Sequence, residues 1–149
     1  MSTAYLAQGI PTQLFAEEFG SGTVSFSPVG PAGAYSYNGM GLDPLNGYLY
    51  AIENTPTAGE LLRINPADAT VEDLGALSPA ISPPNNGAFS ADGDYYVFRL
   101  GCSTMYKVDV AAATTTAISL SASPQLGDFT WAGGYLWGIL NNTSTGQPK

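Results

Sequence analysis

Histidine does not occur in the 149 residues of this chain. Its absence removes Ser-His-Asp and Cys-His catalysis, and with them the commonest metal ligand. Cysteine occurs once, at Cys102, so neither an intrachain disulfide nor a cysteine metal cluster can form. With no histidine or second thiol beside it, Cys102 is expected to be a small buried or half-buried side chain rather than a redox thiol or an intermolecular bridge. Positive charge is almost as scarce. Arg63, Arg99, Lys107 and Lys149 stand against twelve carboxylates, for a net charge of −8. That balance repels phosphate backbones and anionic lipid, so nucleic acid is not an expected partner. No apolar run reaches the roughly eighteen residues of a membrane span. No phosphate-cradling loop is present either: Gly30-Pro31-Ala32-Gly33 contains proline, lacks a following lysine, and reads as a turn.

What remains is the composition of a folded chain. Hydrophobic residues make up 44% and charged residues only 11%, which argues against disorder. The length suits a single domain, 1–149, with a sizeable core. Little lysine alongside abundant Gly, Ser, Thr, Ala and Asn points to an extracellular or cell-surface setting. Met1-Ser2-Thr3-Ala4-Tyr5 has no basic region or apolar stretch, so no signal peptide is visible. Either the protein stays inside the cell or Met1 heads a mature or excised segment; the early start of the pattern described next favours the second.

A short motif recurs. Gly47-Tyr48-Leu49-Tyr50-Ala51-Ile52 is echoed by Gly93-Asp94-Tyr95-Tyr96-Val97-Phe98 and by Gly134-Tyr135-Leu136-Trp137-Gly138-Ile139. A weaker copy is Ala4-Tyr5-Leu6-Ala7-Gln8-Gly9. Anchored on Tyr5, Tyr48, Tyr95 and Tyr135, the copies are spaced by roughly 40–50 residues, the period of propeller blades. Turn residues divide the chain into short alternating strands, as all-β folds require. The second unit is complete, with strands over 38–43, 48–53, 60–65 and 70–77, and a tight hairpin at Asn46-Gly47. The third repeats it over 87–91, 94–100, 104–110 and 114–120. The first unit has only the last three strands, 3–8, 12–19 and 23–29; the last has only the first two, 126–131 and 135–140. No amphipathic helix is evident, since β-branched runs such as Thr114-Thr115-Thr116 and scattered prolines oppose one. The expectation is therefore an all-β, propeller-like chain of four-stranded antiparallel blades, two complete and two partial. The blade pieces are 3–29, 37–77, 86–120 and 126–140.

Three segments carry a resemblance: Tyr37-Asn38-Gly39-Met40-Gly41-Leu42-Asp43-Pro44, Gly47 to Ile52, and Leu61-Leu62-Arg63-Ile64-Asn65-Pro66. With the opening Gln8-Gly9-Ile10-Pro11-Thr12-Gln13-Leu14-Phe15, the chain resembles an uncharacterised family of propeller-like domains in bacterial secreted and surface proteins. The resemblance implies the architecture and brings no catalytic residues. This chain departs from the family pattern by stopping partway round the ring.

Chemistry must then come from carboxylates or aromatics. Glycosidases use facing carboxylate pairs, and Glu17, Glu18, Glu53, Glu60 and Asp128 are the candidates. Neighbours on a strand, Glu17 and Glu18 point to opposite faces, whereas Glu53 and Glu60 flank one loop and can converge. Asp92-Gly93-Asp94 and Asp43 lack the ligand series calcium needs, and their turns explain them without metal. No cofactor or metal is expected. Tyr48, Tyr50, Tyr95, Tyr96, Tyr135 and Trp137 are expected in one strand position per blade, with Tyr48 and Tyr50 sharing a face and Tyr135 and Trp137 another. They read first as inter-blade core, second as a platform for sugar or a partner protein, with Tyr48, Tyr50, Tyr95, Tyr135 and Trp137 as ligand-binding candidates. Met40, Leu49, Ile52, Leu62, Ile64, Phe89, Val97, Phe129, Leu136 and Ile139 are expected in the core, with Leu49 and Ile52 on opposite faces. Asn141-Asn142-Thr143-Ser144 contains overlapping glycosylation sequons.

The functional expectation is a non-enzymatic binding or structural module acting through self-assembly or partner contact. The alternatives are a lectin-like sugar binder and a carboxylate-dependent glycoside hydrolase or lyase. The expected partner is another copy, in a ring or head-to-tail array, or the remainder of a longer propeller. A contact between copies is expected to involve 3–19 and 126–140.

Overall fold

The computed structural model describes residues 4–20, 22–54, 59–99 and 101–140. The 141–144 sequons, Pro56 and the first three residues lie outside them. Among the described residues there are thirteen strands and no helix. Blade 1 holds β1 (Ala4–Gln8), β2 (Gln13–Phe19) and β3 (Val24–Val29). Blade 2 holds β4 (Tyr37–Leu42), β5 (Leu49–Glu53), β6 (Glu60–Ile64) and β7 (Val71–Ala76). Blade 3 holds β8 (Asn86–Phe89), β9 (Tyr95–Phe98), β10 (Thr104–Asp109) and β11 (Thr114–Ser119). Blade 4 holds β12 (Leu126–Ala132) and β13 (Tyr135–Leu140). Each blade is an antiparallel meander in chain order. The chain is all-β and propeller-like, with two complete and two partial blades.

Position in the blade decides which strands are apolar on both faces. β5 is buried from Leu49 through Ile52, because blades 1 and 3 cover its two sides. Leu49 packs with Leu14, Tyr37, Ala51, Leu62 and Ile64 toward blade 1. Ile52 packs with Tyr50, Phe89, Tyr95 and Val97 toward blade 3. The two therefore do lie on opposite faces. β11, the outermost strand of blade 3, leaves Thr114, Thr116 and Ala117 exposed. The β6–β7 and β10–β11 hairpins repeat one device. The Oδ1 of Asn65 and of Asp109 accepts a backbone N–H two residues on, at 3.0 Å in each case. Ala69 and Ala113 then take left-handed conformations.

Three seams join the blades. Between blades 1 and 2, the Tyr37 N–H donates to buried Thr12 Oγ1 at 3.0 Å, and burial pushes the Tyr37 phenol up to about 12. Between blades 2 and 3, Phe89 and Tyr95 stack with ring centroids 4.5 Å apart and planes 7° from parallel, and Tyr50 meets Phe89 at 5.5 Å. Between blades 3 and 4, Tyr96 stacks on Trp131 at 5.8 Å, beside Ala88, Phe98 and Phe129.

Several expectations are corrected. Ile139 is exposed on the free side of blade 4, because no further blade covers it among the described residues. Met40 and Leu136 are only half-buried, at the margins of their seams. Asn46-Gly47 does not close a two-residue hairpin: the connection runs over 43–48, and only Gly47 takes a positive φ, of 76°. The tight hairpin is at Gly133-Gly134, with φ of 59° and 83° between paired Ala132 and Tyr135. Tyr48 consequently precedes β5 rather than standing in it. Counting from Gly47, Gly93 and Gly134, the counterpart of Tyr48 is Asp94, and the counterpart of Tyr95 is Leu49. The tyrosines do not share one position: Tyr48 and Tyr135 directly follow their turn glycines, whereas Asp94 separates Tyr95 from Gly93.

The middle seam is also where backbones touch. A Cβ added at Gly87 would lie 1.7 Å from the Gly39 carbonyl oxygen. That carbonyl accepts the hydroxyl of fully buried Tyr95. Gly87→Ala is therefore expected to lose about 3 kcal/mol or more in urea denaturation. Tyr95→Phe strands a buried acceptor and should lose about 1–3 kcal/mol. A Gly87→Ala protein with an unchanged midpoint would show that the strands do not meet there.

Candidate functional site

β4, β8 and β12 are the first strands of blades 2, 3 and 4, and they line up side by side. Their convergence leaves no room for a side chain at Gly87 and little at Gly41, while Gly39 takes a left-handed φ of 66°. Beside these glycines stands a row of short polar side chains. Asn38 Oδ1 accepts the Gly39 N–H at 2.9 Å, and Asp128 Oδ1 accepts the Phe129 N–H at 2.8 Å. Both strands shift register at these residues, between Asn38 and Gly41 and between Leu126 and Asp128. Such bulges re-aim side chains. Asn86, buried, donates from Nδ2 to Asp128 Oδ1 at 3.2 Å, crossing from blade 3 to blade 4. Asn85 Nδ2 donates to Asn86 Oδ1 and reaches the Leu126 carbonyl at 3.5 Å.

These four side chains wall a cavity of about 270 Å³, completed by Met40 and by β1 around Tyr5. Asp128 also borders an adjoining cavity of about 410 Å³ that ends at Trp131. Residue type and spacing do not single out Asn38, Asn85 or Asn86, and they mark Asp128 only as a carboxylate. The signal that could have found them is the Asn-Gly pair in the first strand of two successive blades, Asn38-Gly39 and Asn86-Gly87.

The aromatic candidates separate into three settings. Tyr50 and Tyr95 lie inside the seam between blades 2 and 3. Tyr48 is partly exposed and lies under the Arg63 guanidinium, 4.9 Å from ring centroid to Cζ. Tyr135 and Trp137 project together from the free side of blade 4, at 70% and 61% exposure. Glu53 and Glu60 do converge across the loop they flank, and share a side-chain hydrogen bond. Partial burial first, and Glu60 second, push the Glu53 carboxyl above its ordinary range. The bond from Glu53, then the backbone, hold Glu60 below its own. No wall of the two cavities described above includes either residue. Asp94 pairs with Lys107 of β10 at 2.8 Å, and Asp43 Oδ1 accepts the Leu45 N–H at 2.8 Å within its own turn. Cys102 is half-buried. Among the described residues, no group of three His, Cys, Asp or Glu side chains could hold a metal.

The chain belongs to the DUF6923 family, a repeat of unknown function, which matches residues 5–147. No curated protein matches it in sequence. Solved structures share its fold. Virginiamycin B lyase from Staphylococcus aureus aligns over 93% of this chain and 50% of its own, at 11% identity and a TM-score of 0.51. Regucalcin from Agrobacterium tumefaciens, a calcium-binding protein, aligns over 87% and 44%, at 12% identity and a TM-score of 0.53. A luciferin-regenerating enzyme aligns over 89% and 46%, at 13% identity and a TM-score of 0.53. The chain thus spans half or less of the length of these propellers. At such identities the likeness is one of fold, and fold does not transfer chemistry.

The carboxylate pair generates a pH prediction. Glu53, raised, stabilises the fold while protonated and loses that contribution as pH rises through its folded value. Glu60, lowered, stabilises while ionised and loses that contribution as pH falls through its own. The pair's contribution is greatest between the two titrations. Carboxyl NMR should show Glu53 titrating above and Glu60 below ordinary glutamate, and Glu60→Gln should bring Glu53 down. Two independent, ordinary titrations would show that the pair is not formed.

Proposed function

We propose that the chain is a non-enzymatic structural and binding module that works by seating its terminal blade faces on further blades of the same repeat, outside the cell or on its surface. One observation carries this reading. Counted from the turn glycines, Trp137 and Ile139 of blade 4 correspond to Tyr50 and Ile52 of blade 2. Those counterparts are 4% and 0% exposed because blade 3 covers them, whereas Trp137 and Ile139 are 61% and 53% exposed. Blade 4 therefore presents the residue types that bury in a seam, without the seam. At the opposite end, the free side of blade 1 exposes Phe19, Val24 and Phe26, with Phe19 paired to Val24 across β2 and β3. Burying each such side chain contributes about 1.5–3 kcal/mol. A handful rivals the roughly 5–15 kcal/mol stability of a domain. Contiguous exposed apolar surface of this kind marks an interaction site.

A second copy of the chain is a sufficient occupant. The chain aligns with 50% of the virginiamycin B lyase chain, so two copies carry about the length of one such ring. The free faces at the two ends differ, so the contact is heterologous, blade 1 of one copy against blade 4 of the next. A non-enzymatic role is supported by the lack of histidine and by the placement of Glu53 and Glu60 outside the two cavities beside the first strands. The extracellular or surface setting rests on composition, two lysines beside abundant Gly, Ser, Thr, Ala and Asn.

Light scattering at low micromolar concentration should give a mass above that of the monomer and rising with concentration. A Trp137→Ser, Ile139→Asp double variant should stay folded by circular dichroism and be monomeric. A folded wild-type monomer with no concentration dependence would refute self-assembly. If instead a chain extended by further repeats is monomeric with Trp137 emission blue-shifted, the covering blades belong to the same chain. Turnover in a glycan screen that vanishes with Glu53→Gln or Glu60→Gln would sink the non-enzymatic reading.

A further inference from the structure

We propose that the cavity walled by Asn38, Asn85, Asn86 and Asp128 binds a small neutral polyhydroxyl compound of the monosaccharide class. The inference goes beyond blade packing, since it concerns the first strands of the blades and not the free faces of blades 1 and 4. It starts from which groups are already engaged. Asn86 has its amide fixed at both ends, accepting from Asn85 and donating to Asp128. Asp128 Oδ1 takes that bond and the Phe129 N–H, which orients the carboxylate and spreads part of its charge. Asp128 Oδ2, Asn38 Nδ2 and Asn85 Oδ1 have no hydrogen-bond partner among the described residues. The wall therefore holds oriented acceptors and a donor, with hydrogen-bonding capacity left over.

The kind of ligand follows from that set. No lysine or arginine lines the cavity, so nothing there would hold an anion. Asp128 is the one carboxylate lining it, and a hard divalent cation needs six to eight oxygens. A purely apolar ligand would leave Asp128 Oδ2, Asn38 Nδ2 and Asn85 Oδ1 unpaired, at a cost for each. A hydroxyl both donates and accepts. Adjacent hydroxyls can thus donate to Asp128 Oδ2 and Asn85 Oδ1 while accepting from Asn38 Nδ2. Met40 and Tyr5 supply the less polar side that the C–H face of a sugar ring prefers. A cavity of about 270 Å³ lies near the lower bound for small-ligand sites.

The test is a titration of the intact isotope-labelled chain with D-glucose, D-galactose and D-mannose, followed by NMR. The side-chain amides of Asn38, Asn85 and Asn86 report directly. We expect saturable shifts of these amides with at least one sugar, in the millimolar range. Asp128→Asn preserves both bonds accepted at Oδ1 and alters only the acceptor at Oδ2, so it should weaken the titration about tenfold with little change in fold. Asn38→Ala should also weaken it, and Glu53→Gln, outside the cavity, should leave it unchanged. Amides that stay still with all three sugars would overturn the proposal. So would linear, unsaturable shifts equal for all three, an Asp128→Asn titration matching the wild type, or movement with calcium chloride or spermidine in place of sugar.

Discussion

The contact on which the rest of the structure depends is the approach of β4 to β8, backbone against backbone, at Gly39 and Gly87. No side chain fits between them, so the blades can close to the distance at which Phe89, Tyr50 and Tyr95 interlock. The same closeness takes the Gly39 carbonyl out of water. Tyr95 reaches across from the second strand of blade 3 to satisfy it, and burial pushes the Tyr95 phenol far up, keeping it the donor. A buried acceptor without that hydroxyl would destabilise the seam by more than the bond itself contributes. One tyrosine thus fixes the spacing and the relative rotation of the two complete blades.

That constraint explains which parts of the fold were legible in sequence. Turn residues and alternating apolar positions are local, so the strands emerged within a residue or two of their places, and β13 over the same span. Leu49 and Ile52 could be assigned to opposite faces because both lie in one strand. Faces could not be carried from blade to blade by matching tyrosines. Side chains alternate, so a slip of one position transfers a residue to the other face. By residue type Tyr95 matches Tyr48, yet it occupies the place of Leu49 and looks toward blade 2. The turn glycines keep the phase because they sit at the hairpin, where the left-handed conformation is required; at Gly47 and Gly93 φ is 76° and 86°. Ile139 illustrates a different limit. Its type and phase are those of a core residue, but burial depends on what lies opposite, which no local pattern encodes.

The polar row was harder to read for a related reason. Asn-Gly in a sequence ordinarily signals a hairpin turn, and Asn46-Gly47 does belong to one. At Asn38-Gly39 and Asn86-Gly87 the pair lies within a strand instead. There Gly87 permits the close approach to the Gly39 carbonyl, the Asn38 amide oxygen accepts the Gly39 N–H, and the Asn86 amide links the Asn85 and Asp128 side chains. The hydrogen-bonded chain from Asn85 through Asn86 to Asp128 makes sense only once blades 3 and 4 are side by side.

The free blade faces and the polar cavity bear on one another through geometry. Blades converge at their first strands, so a further blade seated on blade 4 would bring its own first strand beside β12 and extend the wall that Asp128 now terminates. A ligand held by both walls would bind the assembled form more tightly than the separate chain. By reciprocity it would strengthen assembly by the same factor. A ligand held by the present four side chains alone would bind both forms equally and shift nothing, however tightly it bound. The size of the coupling therefore measures how much of the site comes from the next blade, which neither the affinity nor the oligomer mass measures alone.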